Sequence, residues 1–300
     1  MSAPFDLLGL GAAAIDHLLY VPDYPAADTK ITVVRSAQQC GGLAATALVA
    51  AARLGARCAY AGVLGRDDAS AFVAQALTAE GIDLSHVIRL PNGGPVHSTI
   101  IVGAAPPTRN IFTLFPEITG AHPEHPSEAL IVSTRVLHID HLGVDGMLRA
   151  ARIARAAGVA IVSDLEKASA PNFDGLLALV DHVVMSEGFA IELTASIDAD
   201  AAARALWTPA RRAVVVTCGD RGCVFTTDGI TVHRQAAPRV TVVDTTGCGD
   251  VFHGIYGAML ARGESVDTCV RVATIGAALK ATKPGAQSGA PTWAEISAAL

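Results

Sequence analysis

The stretch VTVVDTTGCGDVFHGIYGAMLARG, from Val240 to Gly263, is the most informative part of the sequence. It opens with a β-branched run, Val240–Val243, which predicts a strand. After Asp250, apolar residues recur every four positions, as they do on one face of a helix. These residues are Val251, Ile255 and Met259. The pattern therefore predicts a strand that leads through a glycine-rich turn into a helix.

The glycine-rich turn has the properties of an anion site. The first N–H groups of a helix lack internal partners and carry the positive end of its dipole. Gly247 and Gly249 let an anion approach the backbone closely. The Asp250 carboxylate would repel that anion, unless it accepts a proton from an alcohol while a phosphoryl group is transferred. Asp250 is also an ordinary choice for a helix N-cap, and the spacing alone leaves both roles open.

Outward from this stretch, short apolar runs alternate with helical patterns along most of the chain. The predicted strands are Asp6–Leu10, Cys58–Val63, Val136–Asp140, Ala160–Ser163, His182–Met185 and Val214–Thr217. The predicted helices include Leu43–Leu54, Ala69–Glu80 and Gly146–Ala157. This order is typical of βαβ units, so we expect an α/β fold with a mainly parallel sheet covered on both faces.

Two regions interrupt the alternation. Lys30–Ser36, Val96–Gly103 and Asn110–Phe115 have strand-like patterns with no helix between consecutive members, and Pro, Gly and Asn surround them. They predict a small antiparallel sheet that projects from the main sheet, formed by about residues 14–36 and 95–117. Such a sheet can serve as a lid, and its exposed edge invites pairing with a second subunit in a homodimer.

Composition excludes several classes of protein. About half of the residues are apolar (51%) and 17% are charged, which supports a large core and argues against disorder. The net charge is −6, and Lys and Arg are scattered, so we expect neither nucleic acid nor a membrane as a main partner. Apolar stretches are too short to span a bilayer, and the N-terminus lacks a signal-peptide pattern. The expected compartment is the cytoplasm, with all six cysteines reduced.

The turn sequence DTTGCGDVF resembles the second signature of the PfkB/ribokinase family of carbohydrate kinases, DTxGAGDxF, with Cys248 at the usual Ala position. Further landmarks of that family occur in order over about residues 6–298. They are an Asp after the first strand (Asp16), GGxxAN (Gly41–Thr46), GxD (Gly65–Asp67) and TxGxxG (Thr217–Gly222).

The resemblance implies one kinase domain over residues 1–300, with a ribokinase-like three-layer sandwich of roughly nine strands and a β-sheet lid. It implies ATP as the phosphoryl donor, Mg²⁺ as its helper and a small-molecule sugar as the acceptor. In that family, the Asp that matches Asp250 deprotonates the substrate hydroxyl. The backbone that matches Gly247, Cys248 and Gly249 forms the anion hole.

The resemblance also assigns binding residues. Those matched to the sugar site are Asp16, Gly41, Gly42 and Thr46, and those matched to the ATP site are Thr217, Gly219, Gly222, Ser186 and Thr246. Asp244 and Thr246 resemble positions that hold a monovalent cation such as K⁺ in many members, although Asp and Thr also stabilise turns on their own. Asp140 and His141 lie at a strand's end, where they fit either polar walls of the sugar pocket or an ordinary strand-to-loop transition.

This sequence departs from the family pattern at three places. The NxxE element, which organises Mg²⁺ and phosphates, has become Ser186-Glu187-Gly188-Phe189, so Glu187 is the candidate replacement and Glu192 the next. Thr46 stands for the Asn of GGxxAN, and Leu43 stands for a Lys of ribokinase. These changes argue against ribose. The segments Asp164–Lys167 and Phe252–Gly254 resemble ketohexokinase-like members of the family. We expect a ketose or related sugar as the substrate, with a nucleoside as the next choice.

Three other functions have some sequence support. Gly9–Ala14 fits the dinucleotide fingerprint GxGxxA, but prolines follow where that fingerprint requires a helix. His138 and His141 have a spacing compatible with a metal-dependent hydrolase. The altered Ser186–Phe189 element also fits a non-catalytic sugar-binding protein on a kinase fold, although such a protein has little use for the Asp250 carboxylate.

Overall fold

The computed structural model describes residues 4–103 and 108–300. Within these ranges the strands are β1 (Phe5–Leu10), β2 (Ala14–Val21), β3 (Arg35–Gly41), β4 (Cys58–Tyr60), β5 (Val63–Leu64), β6 (Ile88–Arg89), β7 (Val96–Gly103), β8 (Thr108–Leu114), β9 (Thr134–Asp140), β10 (Ala160–Asp164), β11 (His182–Ser186), β12 (Ala213–Thr217), β13 (Cys223–Thr226) and β14 (His233–Gln235).

The helices of the described residues are α1 (Leu43–Arg53), α2 (Asp68–Ala79), α3 (Glu128–Val132), α4 (Val144–Ala157), α5 (Phe173–Leu177), α6 (Glu187–Thr194), α7 (Ala199–Leu206), α8 (Cys248–Ala261), α9 (Val266–Ala281) and α10 (Trp293–Ser297). A short 3₁₀ helix covers Gly219–Arg221.

The central sheet of the described chain has eight strands in the order β14-β13-β12-β11-β10-β9-β1-β4. The six strands from β12 to β4 are parallel, and β13 and β14 extend the sheet in antiparallel pairing. The expectation of a mainly parallel sheet is therefore confirmed, with eight strands instead of roughly nine. Because parallel strands end at one edge, residues at their carboxyl ends come together there.

The lid is a separate four-stranded sheet in the order β3-β2-β7-β8. Its central pair, β2 and β7, is parallel, so the lid is mixed and the prediction of an antiparallel sheet was wrong on this point. The chain passes through α1 and α2 between these strands, and this long crossover lets β7 run in the direction of β2. The predicted strand Lys30–Ser36 lies later, at Arg35–Gly41. Residues 104–107 of the predicted lid lie outside the described ranges.

Helices cover both faces of the central sheet, which confirms the three layers. One core packs α1, α8 and α9 against the sheet, and the other packs α4, α5 and α7 against the opposite face. Helix α8 is buried on nearly all sides, and Val251, Ile255 and Tyr256 have no exposed surface. Its surroundings therefore fix the helix start, where Asp250 lies.

The predicted strand Val240–Val243 does not form. Val242 and Val243 are exposed, and the N–H groups of Val243 and Asp244 both donate to the carbonyl oxygen of Ala281, at 2.8 and 3.1 Å. Ala281 is the last residue of α9, where carbonyl groups lack intrahelical partners. The β-branched run thus donates hydrogen bonds to a helix end, and it pairs with no strand of the described ranges.

None of the helices in the described ranges is long and apolar enough to cross a membrane.

We expect Gly254→Ala to lower the free energy of unfolding by about 1–3 kcal/mol, the usual cost of overpacking a core. A Cβ at Gly254 would overlap the carbonyl oxygen of Ala47, because α8 and α1 approach each other closely there. Gly175→Ala in α5 is the control, since its Cβ would meet only Leu148 Cδ1, at 3.8 Å. Urea denaturation of both variants measures the difference, and equal stability would contradict the close contact.

Candidate active site

The start of α8 lies against the loop that follows α9. Gly247 is the N-cap and has a φ of 76°, in the left-handed region that favours glycine. A Cβ there would lie 2.7 Å from Ala286 Cβ, so the backbone at Gly247 also packs closely against the loop after α9. The N–H of Cys248 donates to Thr245 O at 3.2 Å, within the turn.

The space in front of Gly249 is open. A Cβ at Gly249 would meet no atom within 4 Å, and the residue is exposed. The N–H groups of Gly249 and Asp250 have no intrahelical acceptor, because both residues belong to the first helical turn. This is the geometry of an anion site, although the Cys248 N–H is already used inside the turn.

Asp250 is not the N-cap of α8, because Gly247 holds that position, and its role as a general base stays a prediction. It is the third residue of α8, and it is half-buried. Burial, the charges of Asp164 and Glu166, and to a smaller extent that of Asp16, hold the pKa of the Asp250 carboxyl well above its usual range, while His253 acts in the opposite direction. A carboxylate with a raised pKa is a stronger base than a free one.

Asp16 lies inside the lid strand β2 instead of following a strand end, as the sequence had suggested. Its carboxylate lies directly over Gly41, where a Cβ would overlap Oδ2. Burial raises the pKa of Asp16, and a hydrogen bond with Ser98 opposes that shift. The charge of Asp16 also contributes to the raised pKa of Asp250, so the two carboxyl groups are close enough to interact electrostatically.

Gly42 and Thr46 have contacts inside the protein. Gly42 is the N-cap of α1 with a φ of 95°, and a Cβ would lie 2.6 Å from Ala12 O. Thr46 is completely buried, and its Oγ1 accepts a hydrogen bond from Gln287 Nε2 at 3.5 Å. Their roles in substrate binding remain predictions.

Asp140 links the end of β9 to the segment after β1. Its Oδ2 accepts the N–H of Ala12 at 2.6 Å and its Oδ1 accepts the N–H of Leu142 at 2.8 Å. The residue is fully buried, and burial raises its pKa to about 7. Burial, and then the charge of Lys167, lower the pKa of the neighbouring His141 to about 4. Both carboxylate oxygens of Asp140 are thus occupied internally, and its contact with a sugar stays a prediction.

A buried polar cluster lies behind the start of α8, and sequence reasoning missed most of it. His253 Nδ1 lies 2.7 Å from Gly249 O and 3.4 Å from Asp164 Oδ2, and its Nε2 lies 3.2 Å from Val184 O. His253 therefore contacts the carbonyl group just before Asp250. The alternate direction of strand side chains was the available signal, since it places Asp164 at the sheet edge on the buried face.

His138 completes this cluster, with its ring centroid 6.2 Å from that of His253. Its two ring nitrogens are buried and have no hydrogen-bond partner among the described residues. Burial lowers the pKa of His138 to about 3, so the ring is neutral at physiological pH. Within residues 4–103 and 108–300, no three or more His, Cys, Asp or Glu side chains are grouped so that they could hold a metal ion.

The predicted nucleotide residues lie at the same edge, further along the sheet. Ser186 and Thr217 end β11 and β12 and are direct neighbours in the register. The Ser186 hydroxyl caps α6 by accepting the N–H of Phe189 at 3.4 Å. Gly219 and Gly222 have φ angles of 61° and 88°, which suit glycine in a tight turn.

Glu187 forms an ion pair with Arg221. Serving as a ligand of Mg²⁺ or of its water shell would compete with that pair, so the arrangement does not fit the predicted role well. The role of Glu187 stays a prediction.

Asp244 is bound from several sides by the chain around the end of α9. Its Oδ1 accepts the Thr246 N–H at 2.8 Å, its Oδ2 accepts the Gly285 N–H at 2.7 Å, and its carbonyl oxygen accepts from Lys280 Nζ at 2.7 Å. Burial alone would raise the pKa of Asp244, but these hydrogen bonds and the Lys280 charge outweigh it and lower the pKa. A K⁺ ion here would compete with the Lys280 ammonium, which binds the Asp244 carbonyl oxygen and lies 4.0 Å from Oδ2, and the role of Asp244 as a cation ligand stays a prediction.

Comparison with known proteins gives consistent matches. The family model described as "pfkB family carbohydrate kinase" matches residues 6–293. Ribokinase from Haemophilus influenzae is 30% identical over 301 residues, covering 94% of each chain. A solved structure from Agrobacterium tumefaciens, described as a candidate ribokinase, has a TM-score of 0.90 at 29% identity and covers 98% of this chain and 97% of its own.

The structure of Arabidopsis thaliana ribokinase with ribose and ATP has a TM-score of 0.85 at 22% identity and covers 99% and 98% of the two chains. At that identity the likeness shows the fold alone, and the fold is ribokinase-like. The family match over nearly the whole chain shows more than the fold. This protein belongs to the pfkB family of carbohydrate kinases and is a phosphotransferase that acts on a sugar or a nucleoside.

Proposed function

We propose that the protein transfers the γ-phosphoryl group of ATP to a hydroxyl group of an unphosphorylated sugar, with Asp250 as the general base. The observation that carries the proposal is the place of Asp250 at the start of α8, beside the open space over Gly249. The sugar oxygen bonds to the γ-phosphorus while the bond to the ADP oxygen breaks, and the hydroxyl proton passes to Asp250. The N–H groups at the helix start stabilise the phosphoryl oxygens.

The charges around Asp250 support a neutral acceptor. Asp16, Asp164 and Glu166 all raise the pKa of Asp250, so several acidic groups lie near the place where the acceptor hydroxyl would bind. A sugar phosphate would be repelled there, whereas the hydroxyl groups of a sugar can donate hydrogen bonds to Asp16. A ketose or related sugar fits this site, and a nucleoside, which also carries adjacent hydroxyls, is the second candidate.

ATP as the donor is supported by the ATP complex of the Arabidopsis relative and by the nucleotide-side residues Ser186, Thr217, Gly219 and Gly222. Mg²⁺ would be held mainly by the phosphate oxygens and water, as it is at many phosphoryl-transfer sites. When bound, it neutralises charge on the phosphates. A Mg²⁺ titration of turnover tests this requirement, and full activity in excess EDTA would contradict it.

The lid is the proposed contact between two subunits. Its strand β8 and the residues after it carry exposed apolar side chains. They are Ile111, Phe112, Leu114 and Phe115. Contiguous exposed apolar surface of this kind commonly marks an interface. Sedimentation velocity decides the point, because a monomer at micromolar concentration would exclude the homodimer.

We expect Asp250→Asn to reduce kcat by about 10²- to 10⁴-fold, the usual contribution of a positioned general base. ADP release should be measured with fructose, ribose and adenosine as separate acceptors. Asp267→Asn is the matched control, because Asp267 is an exposed carboxylate in the first turn of the adjacent helix α9. Ligand-induced stabilisation of the wild type without any ADP release would support the non-catalytic sugar-binding protein instead.

Gly249→Val is expected to weaken binding of a non-hydrolysable ATP analogue by about 10- to 100-fold, the value of one hydrogen bond to a charged group. The melting temperature should hardly change, because a Cβ at this position meets no protein atom within 4 Å. Gly175→Val is the control for introducing a β-branched residue into a helix, because Gly175 is exposed and lies in α5, away from the turn at Gly249. Unchanged nucleotide affinity at unchanged stability would show that the turn does not bind phosphate.

The pH dependence of kcat/KM should show the raised pKa of Asp250. Activity falls on acidification, because the protonated carboxyl cannot accept the hydroxyl proton, and it falls at a higher pH than for an ordinary carboxyl. Glu166→Gln removes a charge that raises this pKa, so the acid limb of the profile should move to lower pH. Glu264→Gln is the control, since it follows the far end of α8, about 20 Å from Asp250. An unmoved limb in Glu166→Gln would refute the electrostatic assignment.

A further inference from the structure

Lys280 is a lysine without exposed surface, near the end of α9. An ammonium group is buried only at a high cost in free energy unless oxygens and an opposite charge surround it. Here Nζ donates to the carbonyl oxygens of Asp244, at 2.7 Å, and Lys283, at 3.3 Å. The Asp244 carboxylate lies 4.0 Å away. The ammonium thus has the oxygen environment that a small monovalent cation requires.

These oxygens come from two segments that are far apart in the sequence. One segment is the turn that begins at Asp244 and leads into α8, and the other is the loop after α9. The loop closes tightly around the side chain, since a Cβ at Gly289 would lie 3.1 Å from Lys280 Cε. The same loop donates the Gly285 N–H to Asp244 Oδ2. The ammonium therefore bridges the anion-binding turn and the loop that supports it.

We propose that Lys280 is a built-in monovalent cation, which takes the place of the K⁺ that the sequence resemblance suggests at Asp244 and Thr246. Its charge is compact and can donate three hydrogen bonds, so it neutralises the turn oxygens as an ion would. A second cation would be repelled by the ammonium and would find the oxygens occupied. The protein therefore needs no monovalent metal ion for its stability. We also expect that turnover needs no monovalent metal ion, and this expectation rests on the proposed function.

Lys280 is a positioning residue in this proposal, since it acts through the turn. Asp244 begins the turn, and three residues later Gly247 sets the direction of α8 through its left-handed conformation. Without the ammonium, the carbonyl oxygens of Asp244 and Lys283 would lose a buried donor, and the charge that opposes the Asp244 carboxylate would be gone. The turn would then be held less firmly against α9.

The test compares melting temperatures in potassium chloride and in tetramethylammonium chloride at equal ionic strength, for the wild type and for Lys280→Ala and Lys280→Met. The wild type should melt at the same temperature in both salts. Lys280→Ala should melt lower in tetramethylammonium, by on the order of 5–10 °C, and should regain part of that loss in potassium, because K⁺ can enter the space that the side chain leaves. Lys280→Met should lose stability without regaining it, since its side chain fills that space.

Arg271→Ala is the control, because it removes an exposed cation from the same helix and should respond equally to both salts. A wild type stabilised by potassium, a folded Lys280→Ala without a potassium response, or a Lys280→Met as stable as the wild type would each overturn the proposal. If Lys280→Ala does not fold, the wild type and Lys280→Met still decide. The kcat/KM in both salts is measured in parallel. Failure of the kinase proposal would remove that activity and leave the melting data valid.

Discussion

The attachment of the Asp244 turn to the end of α9 is the constraint on which the candidate site depends. The turn pairs with no strand in the part of the chain that the structure describes, and it is held by the Ala281 carbonyl, the Gly285 N–H and the buried Lys280 ammonium. Helix α8 starts from this turn and is then enclosed by α1, α9 and the sheet. The direction of its first N–H groups is thus decided by contacts outside the helix itself.

Around that fixed helix start, the chain concentrates negative charge. The carboxylates of Asp16, Asp164 and Asp250 are contributed by the lid, the central sheet and α8, and each has a raised pKa. Such an arrangement opposes stability, because burial penalises every one of these charges. A raised pKa makes a carboxylate a stronger base, which fits the proposed role of Asp250. The same burial thus lowers the stability of the fold and raises the pKa of these carboxyl groups.

Much of the architecture could be predicted from the sequence, because periodicity and glycine placement are local signals. The alternation of strands and helices indicated the parallel sheet, and the glycines at 247 and 249 indicated the helix start. The strand predicted from the β-branched run Val240–Val243 was wrong, because β-propensity does not tell whether a neighbouring strand is available for pairing. The parallel pairing of β2 with β7 was also missed, because it joins residues about 80 positions apart, and no local pattern reports such a contact.

Buried polar side chains that contact the backbone near the site were the hardest to predict from the sequence. His253 and Lys280 are buried polar residues in the helices α8 and α9, and charged or polar residues of this kind are more often exposed than buried. Their function depends on carbonyl groups of other elements, which sequence spacing cannot locate. The Asp250 carboxylate, by contrast, sits in a long motif with a defined local geometry, so both its position and its candidate role could be inferred.

The place of β1 in the central sheet has a consequence for folding kinetics. This strand, Phe5–Leu10, lies between β4, about 50 residues later, and β9, about 130 residues later. Closing the longer connection costs conformational entropy before β1 and β9 can form their hydrogen bonds. Sheets with many such distant pairs therefore form slowly. One hydrogen-bonding edge of β1 therefore remains open until Thr134–Asp140 arrives beside it. We expect aggregation during refolding to begin at that edge, because it is apolar and unpaired in the half-formed sheet.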